Sequence, residues 1–187
     1  MKKIIWSFVS IVGLLLTSCD SNPTLPTATG AAGEVLLVIN EDVFKSEVGD
    51  SIIQILNHDV PCLPQSEPMF NISRTNFEGF TSIIKPARNI IMIDAGRAYS
   101  KVKMKTEENK WSKPQAILTI QGPTTQEVAN AIGKYKKQIA DFFELAERDR
   151  SIKHHLRYNE EDMSQKVQEH LGFSIAIPRN MVRSKKA

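Results

Sequence analysis

The sequence predicts an α+β domain of two layers, a mostly antiparallel sheet with helices packed on one face. Three observations carry that expectation. Short runs rich in β-branched residues recur along the chain, amphipathic helical stretches fall between some of them, and an alternating segment reads as a hairpin. The order they give, β-α-β-α-β-β-β-α-α-β, lacks a regular βαβ alternation.

The domain starts only after two other segments. Lys2 and Lys3 precede an almost unbroken apolar run, Ile4–Leu16, and Leu16-Thr17-Ser18-Cys19 closes it with small residues. A positive start, a short apolar stretch and a small-residue exit are the marks of an export signal, here residues 1–18. The run is shorter than the roughly 20 residues that span a bilayer, so an uncleaved anchor is the weaker reading. Leu-Thr-Ser-Cys resembles the bacterial lipoprotein processing box, in which Cys19 becomes the first residue of the mature chain and carries the acyl chains. Two or more such chains make attachment stable. The expected location is therefore the cell envelope, lipid-anchored. Asp20 opens no acidic run, which favours the periplasmic face of the outer membrane over surface export. Residues 19–33, with Pro23, Pro26, Gly30 and Gly33 among small polar residues, read as a flexible tether. Residues 34–187 form the single domain.

Val35-Leu36-Leu37-Val38-Ile39 is a continuous apolar run, the pattern of a strand covered on both faces. Val48, Ile52, Ile55 and Leu56 recur at helical spacing and give a helix over Glu47–Asn57, with Ser46 as N-cap. Pro61, Pro64 and Pro68 keep Val60–Phe70 extended, outside helix and central strand. Met69–Ile72 is a strand once the prolines end. Phe77, Phe80, Ile83 and Ile84 are spaced for a short helix before Pro86. Ile90-Ile91-Met92-Ile93, within Asn89–Asp94, is a second continuous run and a candidate for the sheet centre.

From Arg97 to Thr106 lysines alternate with Ser100, Val102 and Met104, the period of a strand with one wet face. A turn at Glu107–Asn109 leads to a returning strand carrying Ala116, Leu118 and Ile120, with Pro114 at an edge or bulge. The lysine row blunts edge pairing. Thr124 and Glu127 form a capping box opening the longest helix, striped by Val128, Ile132, Tyr135, Ile139, Phe142 and Ala146. It runs to about Tyr158, with a bend near Ser151. Asn159 caps a second helix with Val167 and Leu171 inward, Gly172 ends it, and Phe173–Ile177 is a final strand before Pro178.

The charge balance argues against nucleic acid as a partner. The formal net charge is +3, and setting aside Lys2 and Lys3 leaves 22 basic against 21 acidic side chains, without the clustering a phosphate backbone requires. With Cys19 lipidated, Cys62 has no partner for a disulfide; it reads as a buried small hydrophobe, a reactive thiol being the other reading. No phosphate-loop, dinucleotide or nucleophile-elbow spacing occurs, so no cofactor is implied. His154 and His155 are adjacent on a helix, about 100° apart, and do not share a metal. His58 and His170 sit near helix C-termini, where the dipole favours them.

Two features remain as a candidate binding surface. Leu63–Phe70, with Pro64, Gln65 and Glu67, is stiff and extended: it either lines a ligand groove or ties a helix back to the sheet. Trp111 and Lys113 place an indole and an ammonium beside the hairpin turn. An exposed Trp111 would mark a contact surface, a buried one would close the hairpin over the core. The leading expectation is a membrane-tethered, non-catalytic binding or assembly module, with a protein or glycan partner in the envelope. The alternative is an envelope hydrolase whose acid and base, such as Glu67 and Asp94, meet only in the fold.

The processing box, the stretch Pro26–Val35, Leu63–Phe70, Arg88-Asn89-Ile90, Trp111-x-Lys-Pro-Gln and Ala146-Glu147-Arg148 together resemble a Bacteroidetes lipoprotein family, domain of unknown function 4837. The likeness spans Cys19–Pro178. It implies an exported bacterial lipoprotein and assigns no activity, cofactor or catalytic residue. It further implies that this chain corresponds to the N-terminal half of a longer architecture.

Overall fold

The computed structural model describes residues 24–179 and Met181. The expected signal peptide, Cys19 and the basic stretch Arg183–Ala187 lie outside the described residues. The described residues form five strands, β1 (Glu34–Ile39), β2 (Asn71–Thr75), β3 (Asn89–Ala95), β4 (Lys103–Glu108) and β5 (Ala116–Gly122). The helices are α1 (Glu41–Phe44), α2 (Glu47–Leu56), α3 (Thr125–Lys134), α4 (Lys136–Arg157) and α5 (Glu161–Leu171).

The strands form one sheet in the order β2-β1-β3-β5-β4, so the α+β class holds. A mostly antiparallel sheet does not. β1 pairs parallel with β2 and β3, and β3 parallel with β5, leaving β4–β5 as the antiparallel pair. Helix α2 and the proline-rich return carry the chain back to the end where β1 began, so β2 starts in the same direction. The continuous apolar runs of β1 and β3 suit such a sheet, because both of its faces are covered. β3 lies at the centre, as its run of isoleucines implied.

Alternation sorts the strand residues onto two faces. Val35, Leu37, Ile39, Ile91, Ile93, Leu118 and Ile120 meet Val48, Ile52 and Leu56 of α2, Val128 and Ile132 of α3, and Ile139 and Phe143 of α4. Leu36, Val38, Ile90 and Ile117 point the other way and are covered by Phe80, Phe77, Ile84 and Trp111, which come from loops. No helix forms between Phe77 and Pro86. Asn76 Oδ1 accepts from the Gly79 amide at 2.7 Å and starts a succession of turns instead. Ile83, expected to face inward, is 83 % exposed.

Several boundaries move for identifiable reasons. Ser46 caps α2 as expected, its hydroxyl accepting from Val48 N–H. The Thr124 hydroxyl likewise accepts from Glu127 N–H. The long helix is broken at Tyr135 (φ −106°, ψ 19°) and runs unbroken through Ser151. Gly133 weakens the turn before the break, and Ile139 and Phe143 beyond it are buried. β4 begins only at Lys103 and runs to Glu108, so the hairpin loop is 109–115 and Pro114 lies in it. β4 is an edge strand, with Lys103 and Lys105 exposed.

The C-terminal expectations fail most clearly. Residues 173–177 form no strand, and a single bridge joins Asn159 to Pro178. Asn159 does not occupy the N-cap of α5, which falls to Glu160; its Oδ1 accepts from Ser164 Oγ and Ile177 N–H. Gly172 does end α5 in the left-handed region, at φ 76°. No residue of α5 is buried, and Leu171 is exposed.

The two halves of α4 should therefore respond differently to truncation. Phe143→Ala, at a fully buried site, should lower unfolding free energy by about 3–5 kcal/mol. Leu156→Ala, in the exposed last turn, should change it by about 0.5 kcal/mol or less. Urea denaturation measures both, and equal losses would contradict this packing.

Candidate functional site

The N-terminal ends of the parallel strands form a rim on which polar groups concentrate. Asn89 opens β3 and is 1 % exposed, a position that demands partners for its amide. Its Nδ2 donates to Glu34 O at 2.8 Å and to Glu147 Oε1 at 2.6 Å, while its Oδ1 accepts from Arg150 Nη1 at 2.8 Å. Glu147 also accepts from Arg150 Nη1 at 2.7 Å and Arg88 Nη2 at 2.8 Å. Arg150 Nη2 donates to Arg88 O at 2.9 Å. One carboxylate thus takes two guanidiniums and an amide, drawn from α4 and from the start of β3.

All three charged side chains are largely out of water, at 19 % exposure for Arg88, 17 % for Glu147 and 9 % for Arg150. Burial is the main cause that pushes the Arg150 pKa down; Glu147 opposes it, and the like charge of Arg88 adds to it. Arg88 Nε is buried without a partner among the described residues. The helix spacing i, i+3 of Glu147 and Arg150 is a readable signal, but nothing local says that both turn inward to meet Asn89.

An open groove of ≈ 820 Å³ lies beside this cluster, between α4 and the 109–115 loop. Its apolar wall includes Phe142, Leu145 and Ala146, and its basic lining Lys113, Arg148, Lys153 and Arg157. Asp149 binds Lys153 at 2.9 Å. Among the described residues Lys113, Arg148 and Arg157 have no carboxylate partner, and Glu108 is the other acidic group in the lining. The loop itself is held firmly. Gln115 donates to Lys85 O and Ala87 O and accepts from Trp111 N–H, and the buried Ser112 donates to Pro86 O.

The tether reaches this same wall. Lys113 N–H donates to Pro26 O, Ala28 N–H to Lys113 O, and Thr29 N–H to Pro86 O. The stretch read as freely flexible is thus docked along the rim from Pro26 onward.

The candidate surface separates into two places. Trp111 is half-buried and meets Phe80 edge-on at 5.3 Å between ring centroids, with Lys110 Nζ 4.8 Å above it; it closes the second core face. Lys113 is exposed in the groove. Pro64, Gln65 and Glu67 are exposed in the return from α2 to β2 and do not line the groove that holds Lys113. This segment ties helix to sheet, through Val60 N–H to Glu67 O and Met69 N–H to His58 O. Cys62 is exposed rather than buried, in the left-handed region at φ 68°, because the prolines hold this turn off the core.

Glu67 and Asp94 do not converge. Glu67 precedes β2 and Asp94 lies near the end of β3, at opposite ends of parallel strands. Asp94 Oδ2 instead accepts from the Tyr99 hydroxyl at 2.6 Å, and that bond, with burial, raises the Tyr99 pKa above its usual 10 while Gln121 opposes. His58 Nδ1 contacts Ile55 O at 2.7 Å, and His155 Nδ1 contacts Ser151 O at 2.8 Å. No helix among the described residues is long and apolar enough to cross a membrane.

Residues 28–155 match the model of a family described as a domain of unknown function, DUF8532. That match overturns the resemblance to domain of unknown function 4837. No curated protein and no solved structure matches the chain.

Two outcomes follow from the geometry. Glu147→Ala leaves Arg88 and Arg150 buried together, and should cost about 3–5 kcal/mol of stability by urea unfolding. Because Tyr99 has a raised folded pKa, its contribution to stability is intact below pH 10 and is lost as pH rises through the folded value. Asp94→Asn should move the Tyr99 midpoint downward in an ultraviolet difference titration; an unmoved midpoint would contradict the assigned cause.

Proposed function

We infer that this chain, which belongs to the DUF8532 family, is a non-catalytic binding module of the cell envelope, held at a membrane by acyl chains on Cys19. The processing box at Leu16–Cys19 supports the anchoring. The observation that carries the binding role is the open groove between α4 and the 109–115 loop, where Lys113, Arg148 and Arg157 surround an apolar wall. A groove of that composition suits an anionic partner with an apolar part. It lies beside the segment that leads back to Cys19, so anchoring and binding share one end of the molecule. The expected location is the periplasmic face of the outer membrane.

The anchoring is tested by mass spectrometry of the mature N-terminus together with fractionation. A thioether-linked diacylglyceride on Cys19, and release of Cys19→Ala from the membrane fraction, are the expected results. An unmodified N-terminus, or Cys19→Ala still sedimenting with membranes, would refute the anchor.

A further inference from the structure

We propose that the anionic partner of the α4 groove is the headgroup surface of the membrane in which the chain is anchored, so that the body docks on that membrane instead of hanging free. This deepens the anchored-module reading and rests on it. The first argument is reach. Seven residue steps separate Cys19 from Pro26, at most about 25 Å when fully extended. Pro26 is itself fixed to Lys113 by the Lys113 N–H bond at 2.9 Å, so a lipid on Cys19 brings the groove rim to within that distance of the headgroups.

The second argument is shape and composition. Glu147 and Arg150 anchor α4 at the strand ends, and every residue of Ser151–Arg157 beyond them is exposed. At 1.5 Å per residue the helix overhangs the rim by about 10 Å. Leu145, Arg148, Ile152 and Leu156 are spaced by three, four and four, which places them on one face; Leu145 and Arg148 line the groove, and Ile152 and Leu156 continue the face past it. The three apolar members are 55 %, 50 % and 62 % exposed, with Lys153 and Arg157 on the adjacent row. Apolar side chains interleaved with cations on a helix end, next to a lipid anchor, are what lies down at an anionic interface. A single acyl-bearing residue holds the chain weakly in orientation; a basic amphipathic patch supplies a second point. The carboxylates Glu160, Glu161 and Asp162 open α5 past Tyr158 and are not part of the groove lining.

The test uses the full lipidated chain carrying Cys62→Ser and Ile152→Cys, with an environment-sensitive nitrobenzoxadiazole on the new thiol. The chain is reconstituted into phosphatidylcholine vesicles and into vesicles of the same lipid mixed with phosphatidylglycerol. Docking predicts severalfold brighter, blue-shifted emission on the anionic vesicles only. High salt, or Arg148→Glu with Arg157→Glu, should abolish the change, whereas Lys134→Glu, at the junction of α3 and α4, should preserve it. Equal emission on both vesicle types, with the chain anchored to both, overturns the docking and leaves the anchor standing. A gain that survives the double charge reversal also overturns it. Chain that fails to stay on neutral vesicles, with Cys19 unmodified by mass spectrometry, overturns the anchoring reading and the docking together.

Discussion

One carboxylate determines how this molecule is put together. Glu147 accepts from Arg88, Asn89 and Arg150, and through them α4 is fastened to the rim where β3 begins. Taking a carboxylate and two guanidiniums out of water is costly unless the geometry is good and the remaining hydrogen-bonding positions are filled. Here Asn89 fills them and links the cluster to Glu34 O in the neighbouring strand. The apolar stripe of α4 fixes which side of the helix faces the sheet, but apolar contact alone tolerates sliding. The charged cluster fixes the axial position, and so decides which turns of α4 cover the core and which extend past it.

That division has consequences for the surface. Ile139 and Phe143 are buried on one side of the anchor, while Ile152 and Leu156 are exposed on the other. The same rim receives the N-terminal segment through Pro26, Thr29 and Lys113. The groove, the docked segment and the overhanging helix are therefore three parts of one end of the domain. At the opposite end the Tyr99 hydroxyl donates to Asp94 and accepts from Gln121 Nε2 at 3.0 Å.

Much of the fold was legible because local signals agreed with the tertiary result. The apolar runs of β1 and β3, the Ser46 and Thr124 caps and the left-handed Gly172 each name their own structure. Strand direction was not legible, since it depends on where the proline-rich return sets the chain down, and no single residue encodes that. The turns at 76–86 imitate a helical spacing because Phe77, Phe80 and Ile84 all reach one core face from a loop. The segment 173–177 has strand-like residues, but among the described residues no strand pairs with it, and Ile177 alone bonds back to Asn159 and Glu160. Of the residues expected on one surface, Lys113 lies in the groove, while Pro64, Gln65 and Glu67 belong to a tie between helix and sheet. The basic row of α4 escaped notice because its residues are ordinary for an exposed helix, and only the groove beside them gives them meaning.

A double-mutant cycle between Arg88 and Glu147 measures the clamp most directly, because these residues lie 59 positions apart and meet only if α4 is seated as described. Unfolding free energies of the parent, Arg88→Ala, Glu147→Ala and the double variant give the coupling. A seated, largely desolvated pair predicts a coupling above about 1.5 kcal/mol. A value of about 0.5 kcal/mol or less, the range of a solvent-exposed pair, would contradict the account of how α4 is held.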